Sequence, residues 1–274
     1  MPDPIESAPQ SPPIGTVLGE SLHGPRWRHV EQFMQLPHVH DIVPSADPTQ
    51  TELMRLFGAN RDWELIGTNA ANGEAAFHHG GGIKLTTGNS NGDELVLVPR
   101  SGGGTHGTPS RLWWQMMHPP LRPRFATRLV ITEAITENTI IAVGLNNFRG
   151  VNGGAWHALF RVESGQLMLS QRNNGPTTEH TLLELDDVLP GSEFELAIEF
   201  DRDGRAHLLV SDIGGDRARR SVFVSEPMDA DAALAPVMGL RRVTADTPSM
   251  IVRHVELGAG YAAYVPEPGG GDVV

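Results

Sequence analysis

The sequence predicts an all-β fold, an antiparallel sandwich of two sheets that follows an extended N-terminal arm. Short β-type segments recur at regular spacing from residue 61 to about residue 258. Each segment is closed by turn residues, mainly Gly, Asn or Asp, and no helical period of comparable length lies between them. Regularly spaced strands without alternating helices indicate an antiparallel sandwich or barrel and not a parallel α/β sheet.

The first 60 residues have a different composition and form the predicted arm. Nine prolines interrupt any long regular element in this segment. Apolar residues are nevertheless more frequent than in a disordered tail. We expect short helices at 28–36 and after Pro48, where TQTELMRLFG carries threonine caps and ends at Gly58. The arm gains stability only by lying on its own sandwich or on a neighbouring subunit, and the candidate interface residues, with one tryptophan from the sandwich, are Ile14, Val17, Leu18, Leu22, Trp27, Phe33 and Trp114.

The sandwich is expected over residues 61–258, followed by a Pro/Gly-rich tail at 259–274. Its predicted strands cover 62–67, 74–78, 82–87, 93–98, 111–116, 124–134, 138–146, 155–162, 166–172, 178–184, 193–201, 205–211, 219–224, 235–243 and 249–257. Side chains alternate between the two faces of a strand. The dry face is therefore predicted to hold Trp63, Leu65, Ile83 and Leu85, and the wet face to hold Glu64, Lys84 and Thr86.

The segment FELAIEFDRDGRAHLLVSD predicts a β-hairpin. Alternation places one set of large apolar residues on a single face, namely Phe194, Leu196, Ile198 and Phe200. The dipeptide Asp203-Gly204 supplies the tight turn that joins the two strands.

The amino-acid composition excludes several classes of function. The 274-residue chain carries a formal net charge of −12, which disfavours binding to nucleic-acid phosphates. It contains no cysteine, so neither disulfides nor a catalytic thiolate are available. The N-terminus lacks the pattern of a secretory signal, and no apolar run is long enough to span a membrane. We expect a soluble protein that is made in a cytoplasm and uses no cofactor.

Two acidic motifs are candidate catalytic or metal sites. Glu184 and Asp186 share a strand face, as paired carboxylates of a glycosidase require. The jelly-roll glucanases that this motif resembles carry a second Glu shortly after the Asp, but here Val188, Leu189 and Pro190 follow. Asp201, Asp203 and Gly204 open like a calcium loop, yet the later ligand positions hold Arg205, His207 and Leu209. A strand end and a hairpin turn are the favoured interpretations, although a calcium site assembled from separate loops stays open.

The remaining motifs are equally weak signals of chemistry. The pairs His38/His40 and His78/His79 lack the further ligands that zinc needs. The glycine runs at 80–82, 102–104 and 269–271 lack the Lys-Ser/Thr of a phosphate loop. Trp113 and Trp114 must face opposite sides of a strand, so the outward one could stack on a sugar or contact a subunit. No residues support a particular reaction, and we expect no enzyme activity.

Several segments in order resemble one protein family. WELIGTN (63–69), GGIKLTT (81–87), NGDELVLVP (91–99), LWW (112–114), NTIIAVGL (138–145) and WHALFRV (156–162) resemble the concanavalin-like (LamG/jelly-roll) structural proteins of tailed-bacteriophage virions. The resemblance covers about 61–258 and not the arm. It implies a concanavalin-like jelly-roll sandwich and no set of catalytic residues.

The role implied by this resemblance is that of a capsid decoration or minor capsid protein. Its expected partners are the major capsid protein and its own copies, with a trimer favoured, and its expected location is the capsid surface after assembly in the bacterial host cytoplasm. A carbohydrate-binding or receptor-binding tail or fibre protein with the same fold is the alternative, since one fold hosts many functions. This alternative predicts contact with surface glycans and an exposed Trp114 or Trp156 beside polar loops. A glycoside hydrolase using Glu184 and Asp186 is the third hypothesis.

Overall fold

The computed structural model describes residues 27–31, 33, 38–43, 53–57, 63–99, 118–133, 136, 138–163, 166–184, 190–212, 220–244 and 247–259. These residues form two antiparallel sheets that pack face to face as a jelly-roll β-sandwich, which confirms the predicted fold class. Two short 3₁₀ turns, Ala70–Asn72 and Pro119–Leu121, are the helical segments of the described chain.

Sheet A contains eight strands. They are β1 Trp27–Glu31, β5 Glu74–Phe77, β6 Ile83–Thr86, β8 Pro123–Ile131, β13 Glu193–Phe200, β14 Arg205–Asp212, β15 Arg220–Pro227 and β17 Ser249–Ala259. Seven of them lie side by side in the order β15-β14-β13-β8-β17-β6-β5, and β1 also pairs with β17.

Sheet B contains nine strands. They are β2 His38–Val43, β3 Leu53–Phe57, β4 Trp63–Ile66, β7 Glu94–Pro99, β9 Thr139–Asn146, β10 Trp156–Glu163, β11 Gln166–Asn173, β12 Thr177–Glu184 and β16 Ala235–Arg242. They lie side by side in the order β12-β11-β10-β9-β16-β7-β4-β3-β2. Neighbours in space are often distant in sequence, as where β16 lies between β7 and β9.

Fourteen of the predicted strands occur where the alternation placed them, and the segment 111–116 lies outside the described residues. The β13–β14 hairpin has the predicted turn, with Gly204 at φ +75° in the left-handed region that glycine adopts freely. The predicted glycine loop at 80–82 closes the β5–β6 hairpin. In the arm, the short helices predicted at 28–36 and after Pro48 are wrong for the described residues, which form β1 and β3 instead.

The arm strands form because neighbouring strands supply hydrogen-bond partners. Strand β1 pairs along the end of β17, with Val30 opposite Glu256. Strand β3 pairs with β2 on one side and β4 on the other. A helix of this length is marginal on its own, so pairing with a pre-existing sheet outweighs the local helical preference.

The main core lies between the two sheets and draws on almost every central strand. The four inward residues of β13, at 194, 196, 198 and 200, are all buried there, as the alternation predicts. Trp63, Leu65, Ile83 and Leu85 are buried as well. On the predicted wet face, Lys84 and Thr86 are half-buried.

The wet-face prediction is wrong for Glu64, which is only 1% exposed. A second apolar cluster covers the outer face of sheet B around it, formed by Ile66, Val96, Val98, Ala142, Val151, Leu159 and Val237. Strands β4 and β7 are consequently buried on both faces. This cover includes Val151, which lies in the connection between β9 and β10.

Candidate functional site

The connection between β9 and β10, residues 147–155, folds back over the outer face of sheet B and is named here the Phe148 loop. Its two ends are closed by Asn147 and Trp156. The Asn147 N–H donates to the Trp156 carbonyl at 3.0 Å, and the Trp156 N–H donates to Asn147 Oδ1 at 3.1 Å. The strands β9 and β10 thus hold both ends of the loop in a fixed register.

Asn146, the last residue of β9, organises the backbone of the loop from beneath. Its Oδ1 accepts hydrogen bonds from the N–H groups of Phe148 (3.2 Å) and Gly154 (2.9 Å). Its Nδ2 donates to the carbonyls of Gly150 (3.3 Å) and Asn152 (3.0 Å). A buried amide has two donors and a carbonyl oxygen with two lone pairs, so all the hydrogen-bonding capacity of Asn146 is used to fix the loop.

Two side chains anchor the middle of the loop to the sheet. Arg149 forms an ion pair with the buried Glu64 of β4. Val151 is fully buried in the outer apolar cluster, and its N–H donates to Glu94 Oε1 of β7 at 3.3 Å. Burial lowers the pKa of Arg149 to about 10, so its guanidinium group is still charged near pH 7, where it pairs with the Glu64 carboxylate.

The loop buries Glu94 of β7, and this burial changes the pKa of the Glu94 carboxyl group. Burial raises the pKa of its carboxyl group, and the N–H of Val151 and the charge of Arg241 offset part of that effect. Such a perturbed carboxyl group could serve as a general acid, but it lies beneath the loop and is almost inaccessible to a substrate. We interpret Glu94 as an anchor of the loop.

His157 and Ser170 form a second buried pair at the foot of the loop. His157 Nδ1 lies 3.0 Å from the Gly154 carbonyl and Nε2 lies 2.9 Å from Ser170 Oγ. Burial lowers the pKa of His157 to about 4, so the ring is neutral near pH 7. A carbonyl can only accept, so Nδ1 carries the proton and Nε2 accepts from the Ser170 hydroxyl.

This serine–histidine pair has the hydrogen bond of an activated nucleophile but not its accessibility. Ser170 is fully buried and His157 is 1% exposed. A nucleophile must reach a substrate carbonyl or phosphoryl group, and Ser170 cannot. The pair instead ties β10, β11 and the Phe148 loop together.

The exposed apex of the loop carries an aromatic ring and two amides. Phe148 is 52% exposed. Four large apolar residues of the described chain are exposed, and Phe148 is the aromatic one; the others are Val30, Val224 and Val243. Asn147 and Asn152 on either side are exposed as well. A Cβ added to Gly150 would lie 2.6 Å from the Phe148 ring, so the absence of a side chain there lets the ring lie close to the backbone.

The predicted acidic motifs do not assemble a catalytic or metal site among the described residues. Glu184 ends β12 opposite Gln166, and Asp186 lies outside the described residues. Asp201 Oδ1 accepts the N–H groups of Asp203 (2.9 Å) and Arg205 (3.0 Å), as expected for a hairpin turn. No group of three or more metal-binding side chains occurs in the part of the chain that the structure describes.

The charge state of this hairpin also fits a structural role. Asp201 Oδ2 lies 2.9 Å from His207 Nε2. Partial burial raises the pKa of Asp201, but the hydrogen bonds from His207 and from the turn outweigh it and lower the pKa below its usual range. Of the predicted histidine pairs, His78 accepts the Gly80 N–H at 3.2 Å within a turn, and the side chains of His38 and His40 lie outside the described part.

The predicted interface residues are only partly described. Phe33 lies against the core of its own sandwich, with its ring centroid 6.0 Å from that of Trp63. The backbone of Trp27 belongs to β1, while its side chain and the residues Ile14, Val17, Leu18, Leu22 and Trp114 lie outside the described part. Trp156 is half-buried, and its Nε1 donates to Asp229 Oδ2 at 3.1 Å.

Sequence reasoning missed the Phe148 loop as a candidate site. The segment NNFRGVNGG contains two glycines in a row and three asparagines, which indicate a turn-rich connection. That signal could have marked a structured loop carrying one aromatic residue. It could not have revealed the anchors at Glu64 and Glu94, which lie 85 and 57 residues away from their partners in the loop.

Comparison with known proteins supports the fold and no particular activity. No protein-family model and no curated protein matches the chain. Among solved structures it is similar to a protein of unknown function from Shewanella oneidensis MR-1, with a TM-score of 0.53, 11% identity, and coverage of 93% of this chain and 96% of that one. At this level of identity the similarity shows a shared fold, which here is the two-sheet β-sandwich.

Two further structures are similar at lower scores. The alginate lyase from Pseudomonas aeruginosa has a TM-score of 0.45 at 18% identity, covering 68% of this chain and 85% of that one. The structure of botulinum neurotoxin type C has a TM-score of 0.47 at 8% identity, covering 76% of this chain and 45% of that one. Within the described residues, no helix is long and apolar enough to cross a membrane.

Proposed function

We propose that this protein is a non-catalytic structural component of a tailed-bacteriophage virion, a decoration or minor capsid protein that stabilises the head shell. It binds the major capsid protein and its own copies on the capsid surface, after assembly in the bacterial host cytoplasm. A trimer is favoured because shells offer many threefold and quasi-threefold positions. The proposal rests on the resemblance of residues 61–258 to virion proteins of the concanavalin-like type.

One observation carries the non-catalytic part of this proposal. Among the described residues, several of the ionisable side chains that the two sheets bring together are paired with one another. On sheet B, Arg149 is paired with Glu64. On sheet A, Glu193 accepts from Arg128 (2.7 Å) and Arg253 (2.6 Å). Although partial burial raises the pKa of Glu193, these hydrogen bonds lower it overall, so it remains an ion-pair acceptor and not a proton donor.

The test is co-assembly with the major capsid protein encoded in the same phage genome. The two proteins are co-expressed, shells are isolated on a density gradient, and bound protein is quantified against capsid subunits. We expect regular occupancy, and a chain that never sediments with shells would refute the proposal. Light scattering of the free protein measures the oligomeric state, with a trimer expected.

A truncation tests the role of the arm. Deleting residues 1–50 would also remove strands β1 and β2, so the informative deletion covers residues 1–24 and leaves both strands in place. We expect this variant to keep the melting temperature of the full chain and to lose most shell binding, because extended arms gain affinity through many distributed contacts. Full occupancy by the truncated chain would show that the arm does not hold the shell.

The second candidate function is carbohydrate or receptor binding by a tail or fibre protein. The observation that favours it is a loop that exposes the Phe148 ring together with the side chains of Asn147 and Asn152. An aromatic face beside polar groups suits a sugar, which presents an apolar ring face and a rim of hydroxyls. This candidate names a different aromatic residue from the tryptophans that the sequence suggested.

A further inference from the structure

We propose that the Phe148 loop is a preformed contact site for a neutral sugar ring. In this site the Phe148 ring stacks on the apolar face of a pyranose, and the side-chain amides of Asn147 and Asn152 hydrogen-bond to its hydroxyls. The inference deepens the second candidate function and is independent of assembly on a shell. It identifies the ligand by the chemistry of the loop apex.

The Phe148 loop is anchored at several points along its length. Asn146 fixes four backbone groups of the loop, Arg149 is ion-paired with Glu64, and Val151 is buried in the outer cluster. The loop is therefore held in place on both sides of its apex. A binding loop that is already ordered does not lose conformational entropy when a ligand binds, and this increases affinity.

The anchored loop exposes the side chain of Phe148. The residues that anchor the loop face the sheet, whereas Phe148 projects with half of its surface in water. Isolated exposed apolar residues are common on proteins and carry little meaning alone. Phe148 differs because its backbone N–H is bound by Asn146 and its ring lies close to Gly150, so its position is defined by the fold.

The same loop exposes two side-chain amides, those of Asn147 and Asn152. Asn147 Oδ1 accepts the Trp156 N–H, which leaves the NH₂ group of this exposed amide to act as a donor to a ligand. Asn152 contributes its backbone carbonyl to Asn146 and keeps its exposed side chain for other partners. Amide groups both donate and accept, as sugar hydroxyls do, so the pair matches an uncharged polyol.

The size of the apex favours a sugar over a protein partner. A stable protein interface buries about 800 Å² on each side, with several apolar residues at its centre. The loop exposes one phenyl ring and two amides, a set of groups suited to a small ligand such as a single pyranose. A charged ligand is also disfavoured, because Arg149, the cation within the loop, is already paired with Glu64.

The experiment uses the full chain, biotinylated and displayed on streptavidin so that weak binding is amplified by avidity. It is applied to an array of neutral glycans ending in glucose, galactose, mannose or N-acetylglucosamine. Saturation-transfer NMR with the methyl glycosides of the same four sugars detects binding too weak for the array. We expect binding to at least one sugar, with saturation transferred from the Phe148 ring.

Three variants assign the binding to the loop. Phe148→Ala should weaken binding about tenfold or more, and Asn152→Ala should weaken it by a smaller factor. The matched control is Val224→Ala, which removes an exposed apolar side chain of similar accessibility (45%) from β15 of sheet A. All three should melt at the wild-type temperature, because none of these side chains anchors the loop.

Two outcomes would overturn the inference. One is the absence of binding in both the array and the NMR measurement. The other is equal affinity of the wild type and Phe148→Ala for whatever sugar is bound. If Phe148→Ala instead lost shell binding while no sugar bound, the loop would be a protein contact, and the proposed virion function would stand without the sugar site.

Discussion

Acidification should weaken the fold through the buried His157. Burial lowers its pKa from an ordinary value of 6.5 to about 4. Between these values the unfolded chain binds a proton that the folded chain does not, so stability is lost as the pH falls from about 6.5 to about 4. The full loss is about 3 kcal/mol, because each tenfold change in proton affinity is worth about 1.4 kcal/mol. By pH 5 the loss is about 2 kcal/mol.

The measurement is equilibrium urea unfolding of the full chain at pH 7.5 and pH 5.0, followed by tryptophan fluorescence. The comparison variant is His157→Gln, whose side chain stays neutral at both pH values. It should show about 2 kcal/mol less pH dependence than the wild type. Burial also lowers the pKa of His254, but that residue is present in both proteins, so the difference reports on His157 alone.

Equal pH dependence of the wild type and His157→Gln would refute the reasoning. If the substitution prevents folding, the wild-type ring itself gives the answer by NMR. Its Cε1–H resonance should remain that of a neutral imidazole at pH 5. A titration midpoint near 6.5 would show that the ring is not held neutral by burial.

Three further predictions concern stability in urea. Val151→Ala should cost about 2 kcal/mol, because it leaves a cavity in the outer cluster; a change below about 0.5 kcal/mol would mean that the loop is not anchored there. Gly144→Ala should abolish a cooperative transition, since φ is +147° and the new Cβ would lie 2.5 Å from the Ala158 carbonyl oxygen. Gly175→Ala, with space around its Cβ, is its control and should unfold like the wild type. Asp201→Ala should cost about 1 kcal/mol at pH 7. Because the pKa of Asp201 is lowered, this cost should disappear as the pH falls through that pKa, and an equal cost at pH 2 would contradict the assignment.

The sheets were largely predictable from the sequence because their signals are local. In the β13–β14 hairpin, alternation of apolar residues defines the buried face and Asp203-Gly204 defines the turn, all within about twenty residues. The arm strands were missed for the opposite reason. Val30 pairs with Glu256 at the far end of the chain, and nothing near Val30 in sequence reveals that partner.

The candidate site could be predicted only in part. Glu64 looks like a solvent-facing residue by alternation, and its burial depends on Arg149, 85 residues later. The same holds for the His157–Ser170 pair, since alternation does not show which polar residues meet beneath a loop. Exposure of Phe148 is likewise a property of the folded loop and not of its composition.

The double cover of β7 has a consequence for the order in which the protein opens. Leu95 and Leu97 face the main core, Val96 and Val98 face the outer cluster, and β4 and β16 flank the strand. Its amide hydrogens should exchange with deuterium only when the whole domain unfolds. Strand β12, at the end of sheet B with exposed side chains at 177–181, should exchange by local fraying. A hydrogen-exchange map should therefore show protection that declines from the middle of sheet B toward β12.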